Sequence, residues 1–415
     1  MLGSREGGKR SRTSAILFAI LVTSGFVGTA WYYGRSDHLS GIVPPGSEKA
    51  RVAPKESHAS DSAEPAQIVG IQTCARCHPS QAEAFATSGH SRTFAHTRQS
   101  EIARSLHGQT FVDPERKYSY LYQFDPQNGL SVSIPGKIDR QFPLQYALGS
   151  GTHAVTFIGL VPNRKPEGGL QTIGIEHRVS VFPNARQQRL NLTFGHAGRQ
   201  AEHEVTEFGK VEEAASLDKC VECHTTSGTI EKLAVINLRE NVTCENCHGP
   251  GSKHVAAADR GLAAPGHLDL IPGSYSTIDQ MQKCGSCHRL PDMVDVHHQR
   301  RDNAKITRFQ PVGMQKSRCF KESSGRLSCT TCHNPHRGVR HDNPRDAAHC
   351  LKCHQRDRAG QTACPVSPAA DCVRCHMPAV PSLHEVSFTD HWIRVRDKRD
   401  PEATESIPLP HKKRE

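Results

Sequence analysis

Fourteen of the sixteen cysteines fall in seven copies of one pentapeptide, C-x-x-C-H. The copies are Cys74–His78 (motif I), Cys220–His224 (II), Cys244–His248 (III), Cys284–His288 (IV), Cys329–His333 (V), Cys350–His354 (VI) and Cys372–His376 (VII). Two thiols at this spacing add across the vinyl groups of one porphyrin, and the histidine directly after them falls beneath its iron. The chemistry implied is covalent attachment of haem c, with one axial ligand supplied by the same peptide. The thioether pairs are then Cys74 and Cys77, Cys220 and Cys223, Cys244 and Cys247, Cys284 and Cys287, Cys329 and Cys332, Cys350 and Cys353, and Cys372 and Cys375. The proximal ligands are His78, His224, His248, His288, His333, His354 and His376. C-x-x-C pairs with histidines also build tetrahedral zinc sites, but zinc does not require histidine at the next position. Every C-x-x-C of this chain has it, so seven haems are expected. Cys319 and Cys364 are left over; they are candidates for one disulfide, with two buried free thiols as the alternative.

Nineteen of the 26 histidines lie outside the motifs. A bis-histidine iron has no open position and suits electron transfer rather than substrate chemistry. Local context selects six histidines as second axial ligands. His254 ends Cys247-His-Gly-Pro-Gly-Ser-Lys-His254 and His336 ends Cys332-His-Asn-Pro-His336, both thrown outward by turn residues. His90 ends Thr87-Ser-Gly-His90, His196 ends Asn191-Leu-Thr-Phe-Gly-His196, and His384 and His391 follow motif VII. His153, His177, His203, His297 and His298 read better as hydrogen-bonding or surface residues.

The elements that must position these groups divide the chain. Arg5, Lys9, Arg10 and Arg12 precede an uncharged stretch from Thr13 to Gly34 that closes on Trp31-Tyr-Tyr33. It is long enough to span a bilayer and reads as a signal-anchor with a cytoplasmic N-terminus, or as a signal peptide with a small-residue site near Ala30. Residues 1–34 are therefore an export element, possessing the orientation that puts the haem domain outside the cytoplasm. Residues 35–67, rich in Ser, Pro, Ala and Glu, form a flexible linker, and 394–415 a charged tail. Residues 68–393 hold the haems.

About 140 residues separate His78 from Cys220, too many for a loop. Tyr118–Phe124 and Leu130–Ile134 alternate around the turn Asp125-Pro-Gln-Asn-Gly129, a hairpin signature, and strand-like runs follow at Thr152–Val161, Leu170–Phe182 and Arg189–Phe194. A small β-rich insertion over 105–200 is expected. Beyond residue 215 a motif recurs every 20 to 45 residues, room for one short helix and a loop per haem. With 36% hydrophobic and 6% aromatic residues the polypeptide core is thin, and porphyrins would supply the rest. The fold class expected is mainly α with extensive loops, a multihaem array of short helices.

The formal charge of +10 suggests an anionic partner. Haem alters that sum. Each brings two propionates and about one net positive charge when ferric, so the loaded chain carries about +3 oxidised and about −4 reduced. Nucleic acid loses its support as a partner.

Several phrases resemble the multihaem c-type cytochromes related to cytochrome c-554 and, more distantly, to hydroxylamine oxidoreductase and pentahaem nitrite reductase. They are Thr87-Ser-Gly-His90, Ala147-Leu-Gly-Ser-Gly-Thr-His153, Thr243-Cys-Glu-Asn-Cys-His-Gly-Pro-Gly251, Ser317-Arg-Cys-Phe320 before Cys329-Thr-Thr-Cys-His-Asn-Pro-His336, and Cys375-His-Met-Pro378 followed by Phe388-Thr-Asp-His391. The resemblance covers roughly 70–393. It implies close haem pairs, mostly bis-histidine ligation and rapid electron hopping, and it favours His90, His254, His336 and His391 as distal ligands. The C-x-x-C-K motif of pentahaem nitrite reductases is absent from the sequence, and Tyr275 is the sole tyrosine after residue 146. The leading reading is an electron relay serving periplasmic or membrane redox proteins. The second is an oxidoreductase acting on a small nitrogen or sulfur compound at one open haem, with Arg178, Arg186 and Arg199 as candidate anion-binding residues.

Overall fold

Alternation along the strand Thr156–Arg164 decides the central architecture. Phe157 and Val161 point to one side, where they meet Tyr120, Tyr122, Val132, Phe142 and Ile175. Ile158 and Leu160 point to the other and meet Tyr146, Leu148, Leu217 and Val221. A strand apolar on both faces must be covered twice, and it is. The computed structural model describes residues 64–165, 167–183, 188–262, 268, 275–339, 343–354, 364–367, 371–382 and 386–401.

Thr156–Arg164 lies in the middle of a five-stranded antiparallel sheet whose order is Phe94–His96, Tyr146–Leu148, Thr156–Arg164, Leu170–His177 and Gly209–Glu212. One face packs on a four-stranded meander, Thr110–Val112, Ser119–Asp125, Gly129–Ile134 and Ile138–Leu144. The hairpin expected around Asp125–Gly129 forms there, with Leu121 opposite Ser133 and Phe124 opposite Leu130. The other face receives the helix Ala214–His224, which carries motif II. Their approach is close: a Cβ on Gly174 would lie 2.2 Å from Leu217 Cδ2.

The expectation of a mainly α fold is overturned. About 34% of the described residues are helical and about 27% are in strands, arranged in several antiparallel sheets. Apolar residues are not spread thinly over seven haems; they concentrate in the β region, which builds a core of its own. Strands also occur outside the expected insertion, as the hairpin Thr225–Glu231 with Ala234–Glu240 and the pair Ala379–Pro381 with Ser387–Thr389.

Beyond the β region the helices are short and tied to the motifs. Several start at a hydroxyl or amide cap just upstream of the first cysteine. Ser276 Oγ accepts from the Asp279 amide at 3.1 Å while Asp279 returns a bond to Ser276 N at 3.0 Å. Asn246 Oδ1 accepts from Thr243 N at 2.8 Å in motif III, and Thr331 Oγ1 accepts from Ser328 N at 2.9 Å in motif V. Such reciprocal caps stabilise helices too short to persist alone.

Cys319 and Cys364 do not form the disulfide considered above; both are free thiols. Cys319 neighbours Cys353, whereas Cys364 neighbours Cys375, so each is drawn to a different motif.

The largest fully buried side chain is Arg178. Its Nε contacts Asp113, its Nη2 donates to Glu115 at 2.7 Å, and its Nη1 donates to the His196 carbonyl at 2.7 Å. Burial pushes the Asp113 carboxyl up, but the Arg178 guanidinium and the Arg116 and Glu115 amides more than reverse this and hold it below its ordinary 3.8. Because the folded value is depressed, the pair stabilises the fold at neutral pH and that contribution is lost as the pH falls below 3.8. Arg178→Met strands a buried carboxylate and is expected to cost about 3–5 kcal/mol, measured by hydrogen exchange of the Ser119–Asp125 strand amides. The deficit should shrink in acid, where Asp113 is protonated in both states.

Candidate haem-binding sites

Four proximal histidines each face a histidine from a distant part of the chain. His78 of motif I faces His254 with ring centroids 6.3 Å apart, and His248 of motif III faces His336 at 6.0 Å. His288 of motif IV faces His90 at 6.1 Å, and His333 of motif V faces His391 at 6.1 Å. An iron bound by two trans imidazoles at about 2 Å each, with each ring centre roughly 1 Å behind its nitrogen, places the centroids about 6 Å apart. The four separations fit one iron between each pair. Ring planes range from parallel, 3° in the His248–His336 pair, to crossed, 70° in the His90–His288 pair.

Electrostatics favour the same role. Burial lowers the pKa of His90, His288 and His336, and brings His391 to about 4 against the opposing bond to Thr389. Neutral imidazoles keep the lone pair that an iron requires. Backbone carbonyls orient the rings by accepting from Nδ1: Thr389 O for His391 at 2.9 Å, Arg394 O for His376 at 3.1 Å, and Thr93 O for His224 at 3.2 Å. Each such bond directs Nε2 away, toward the place of a metal.

Long-range contacts hold the distal histidines in place. Glu245, inside motif III, is buried, and its carboxylate accepts from Val69 N at 2.8 Å, Gly70 N at 2.8 Å and Gly251 N at 2.9 Å. One side chain thus joins the entry to motif I, motif III and the turn before His254. Gly313 lies so close to the His391 segment that a Cβ would be 2.6 Å from Trp392 N. Ser317 Oγ donates to His391 O at 3.0 Å and accepts from Ile393 N at 2.8 Å. Neither Glu245 nor Gly313 was singled out above. An acidic residue between the two cysteines of motif III was the available signal for the first, and a helical glycine for the second.

The other expected ligands are placed differently. His196 is buried with Nε2 3.0 Å from Glu176 Oε2, inside the β region, which satisfies the nitrogen an iron would need. His384 lies outside the described residues. His177 is held by Tyr122 Oη at 2.9 Å and Phe208 O at 2.7 Å, and burial lowers its pKa to about 3. Among the described residues, no imidazole faces His224, His354 or His376 as in the four pairs.

The motifs also touch one another through their thiols. Cys74 bonds Cys244, linking I to III, and Cys247 neighbours Cys284, linking III to IV. Cys223 bonds Cys287, linking II to IV, and Cys284 bonds Cys329, linking IV to V. Cys350 neighbours both Cys332 and Cys372, which brings VI against V and VII.

Cysteine pairs beside facing imidazoles, repeated through a mixed body of short helices and antiparallel sheets, define a c-type cytochrome with several haems. The family model described as Cytochrome c554 and c-prime matches residues 73–121 and 184–249, the stretches holding motifs I to III. A protein of Wolinella succinogenes named Dissimilatory sulfite reductase MccA is 21% identical over 79% of this chain and 53% of its own length. One of Shewanella baltica named Multiheme cytochrome MtrA is 24% identical over 46% of this chain and 56% of its own length. The chain spans about half the length of these curated relatives. The crystal structure of Outer Cell Wall Cytochrome OcwA covers 79% of each chain at 14% identity, with a TM-score of 0.44. The chain belongs to the multihaem c-type cytochromes, and its cofactor is covalently bound haem c. No helix among the described residues is long and apolar enough to cross a membrane, and residues 1–34 lie outside them.

Removing a distal imidazole should leave the haem attached but open. In ferric His336→Ala one low-spin signal is expected to give way to a high-spin one in electron paramagnetic resonance, with His254→Ala, His90→Ala and His391→Ala alike. His196→Ala, which loses only a contact to Glu176, should leave the low-spin count unchanged.

Proposed function

We propose that this protein is a heptahaem electron relay, with one haem c on each C-x-x-C-H motif. The observation that carries this reading is the set of four facing imidazole pairs. A six-coordinate iron bound by two rigidly seated imidazoles changes electron count with little rearrangement, which suits transfer and excludes substrate from the metal. His90, His254, His336 and His391 are the distal ligands of the haems at motifs IV, I, III and V. The thiol contacts support a path I, III, IV, V, VI, VII, with the haem of motif II beside that of motif IV. The haem domain works outside the cytoplasm and exchanges electrons with periplasmic or membrane redox proteins. The basic flank and uncharged stretch of residues 13–34 support its tethering to the inner membrane.

A second reading is favoured by one feature of motif II. His224 is oriented by Thr93 and buried against the β region, yet no imidazole faces it among the described residues. A haem there with a vacant sixth position would bind a small sulfur or nitrogen oxyanion and draw electrons from the haem of motif IV. The name of the Wolinella relative, a dissimilatory sulfite reductase, fits that chemistry.

Electron paramagnetic resonance of the oxidised holoprotein with a haem-to-protein ratio separates the readings. A ratio near seven with low-spin signals alone is expected for the relay. A high-spin signal that changes on adding sulfite or nitrite would replace it with the enzyme, and a ratio well below seven would overturn the haem count.

A further inference from the structure

Two guanidinium groups meet where motif IV, the turn Ala304–Arg308 and the β region come together. Arg289 follows His288 directly, in left-handed backbone with φ 66°, and its guanidinium lies over the Phe309 ring at 5.4 Å. Arg308 lies over Phe194 at 4.6 Å and 5.9 Å from the Phe388 ring. Burial first, and the charge of Arg289 next, hold Arg308 below the ordinary arginine value. Among the described residues neither guanidinium has a hydrogen bond or a carboxylate within ion-pair distance. Glu176 acts on Arg308 from farther off, and its Oε2 is engaged by His196 at 3.0 Å.

Other buried arginines here are neutralised. Arg178 has Asp113 and Glu115, and Arg394 and Arg396 share Asp390. Of the arginines first considered for anion binding, Arg178 is fully occupied, Arg199 donates to Gly195 O at 2.8 Å, and Arg186 lies outside the described residues. Two half-buried cations that repel each other, with five donors apiece and aromatic rings fixing their planes, cost free energy unless an anion sits between them. Planar guanidinium pairs match planar or pyramidal oxyanions with bidentate bonds.

We propose that Arg289 and Arg308 form a clamp for one oxyanion beside the haem of motif IV. The shared chemistry is a group with two or more anionic oxygens, supplied either by a propionate of that haem or by a free inorganic oxyanion. The first source rests on the haem reading given above, and the second does not.

The test is spectroelectrochemical titration of the wild-type holoprotein and Arg308→Gln, with the haem-to-protein ratio measured on each, with and without sulfite or nitrite. With a propionate in the clamp, Arg308→Gln lowers the midpoint potential of one haem, because a cation that disfavours the ferric state is gone, and added anion changes nothing in the wild type. With a free oxyanion, sulfite or nitrite shifts one haem of the wild type saturably, and the apparent affinity falls at least tenfold in Arg308→Gln. If Arg308→Gln loses haem, Arg289→Gln is read out identically. No potential shift and no anion dependence, at unchanged haem content, overturns the clamp. Should the wild type carry no haem, the relay fails separately, and calorimetric titration of sulfite and nitrite decides the clamp alone.

Discussion

The geometry that the rest of the structure serves is an imidazole pair held about one iron's width apart. A C-x-x-C-H peptide brings its own histidine, so the demanding partner is the second one, which must arrive from elsewhere and stop at the right distance. In this chain it arrives from far along the sequence. His90 follows motif I but faces motif IV, His336 follows motif V but faces motif III, and His391 follows motif VII but faces motif V. Such interleaving ties segments together that share little apolar surface, and it accounts for helices of five to twelve residues that would be marginal alone.

The protein matrix supplies the stops. Glu245 gathers three backbone amides from two segments, Gly313 lets the His391 segment approach to backbone contact, and Thr93, Thr389 and Arg394 turn imidazoles by their carbonyls. These are polar or steric devices rather than hydrophobic ones. The apolar residues are spent elsewhere, in the layered β region whose outer sheet face seats the motif II helix. Motif II is therefore positioned by a conventional core, whereas motifs I, III, IV and V are positioned largely by one another. That difference sets motif II apart, and it is also the one of these five that lacks a facing imidazole among the described residues.

Legibility in the sequence followed the range of the interaction. The seven motifs and the Asp125–Gly129 hairpin are local patterns, and both were readable. The distal role of His90, His254, His336 and His391 was suggested by turn residues and by resemblance, but neither assigns a histidine to an iron. His196 has a comparable glycine before it and points instead to Glu176, because its carbonyl and ring are drawn into the buried Arg178 cluster. The mainly α expectation failed because composition averages over the chain, and an average cannot show that the apolar residues are gathered into one β core.

What the sequence determined by itself is the covalent chemistry, since thioether formation and proximal ligation need only neighbours along five residues. What the tertiary structure decided is everything that joins distant residues: which histidine faces which motif, which motifs touch, that Cys319 and Cys364 stay apart, and that Arg289 and Arg308 meet without a carboxylate. The physical reason is that an iron, an ion pair or a disulfide responds to distances through space, and those are fixed only when sheets, caps and close backbone contacts have brought the segments together.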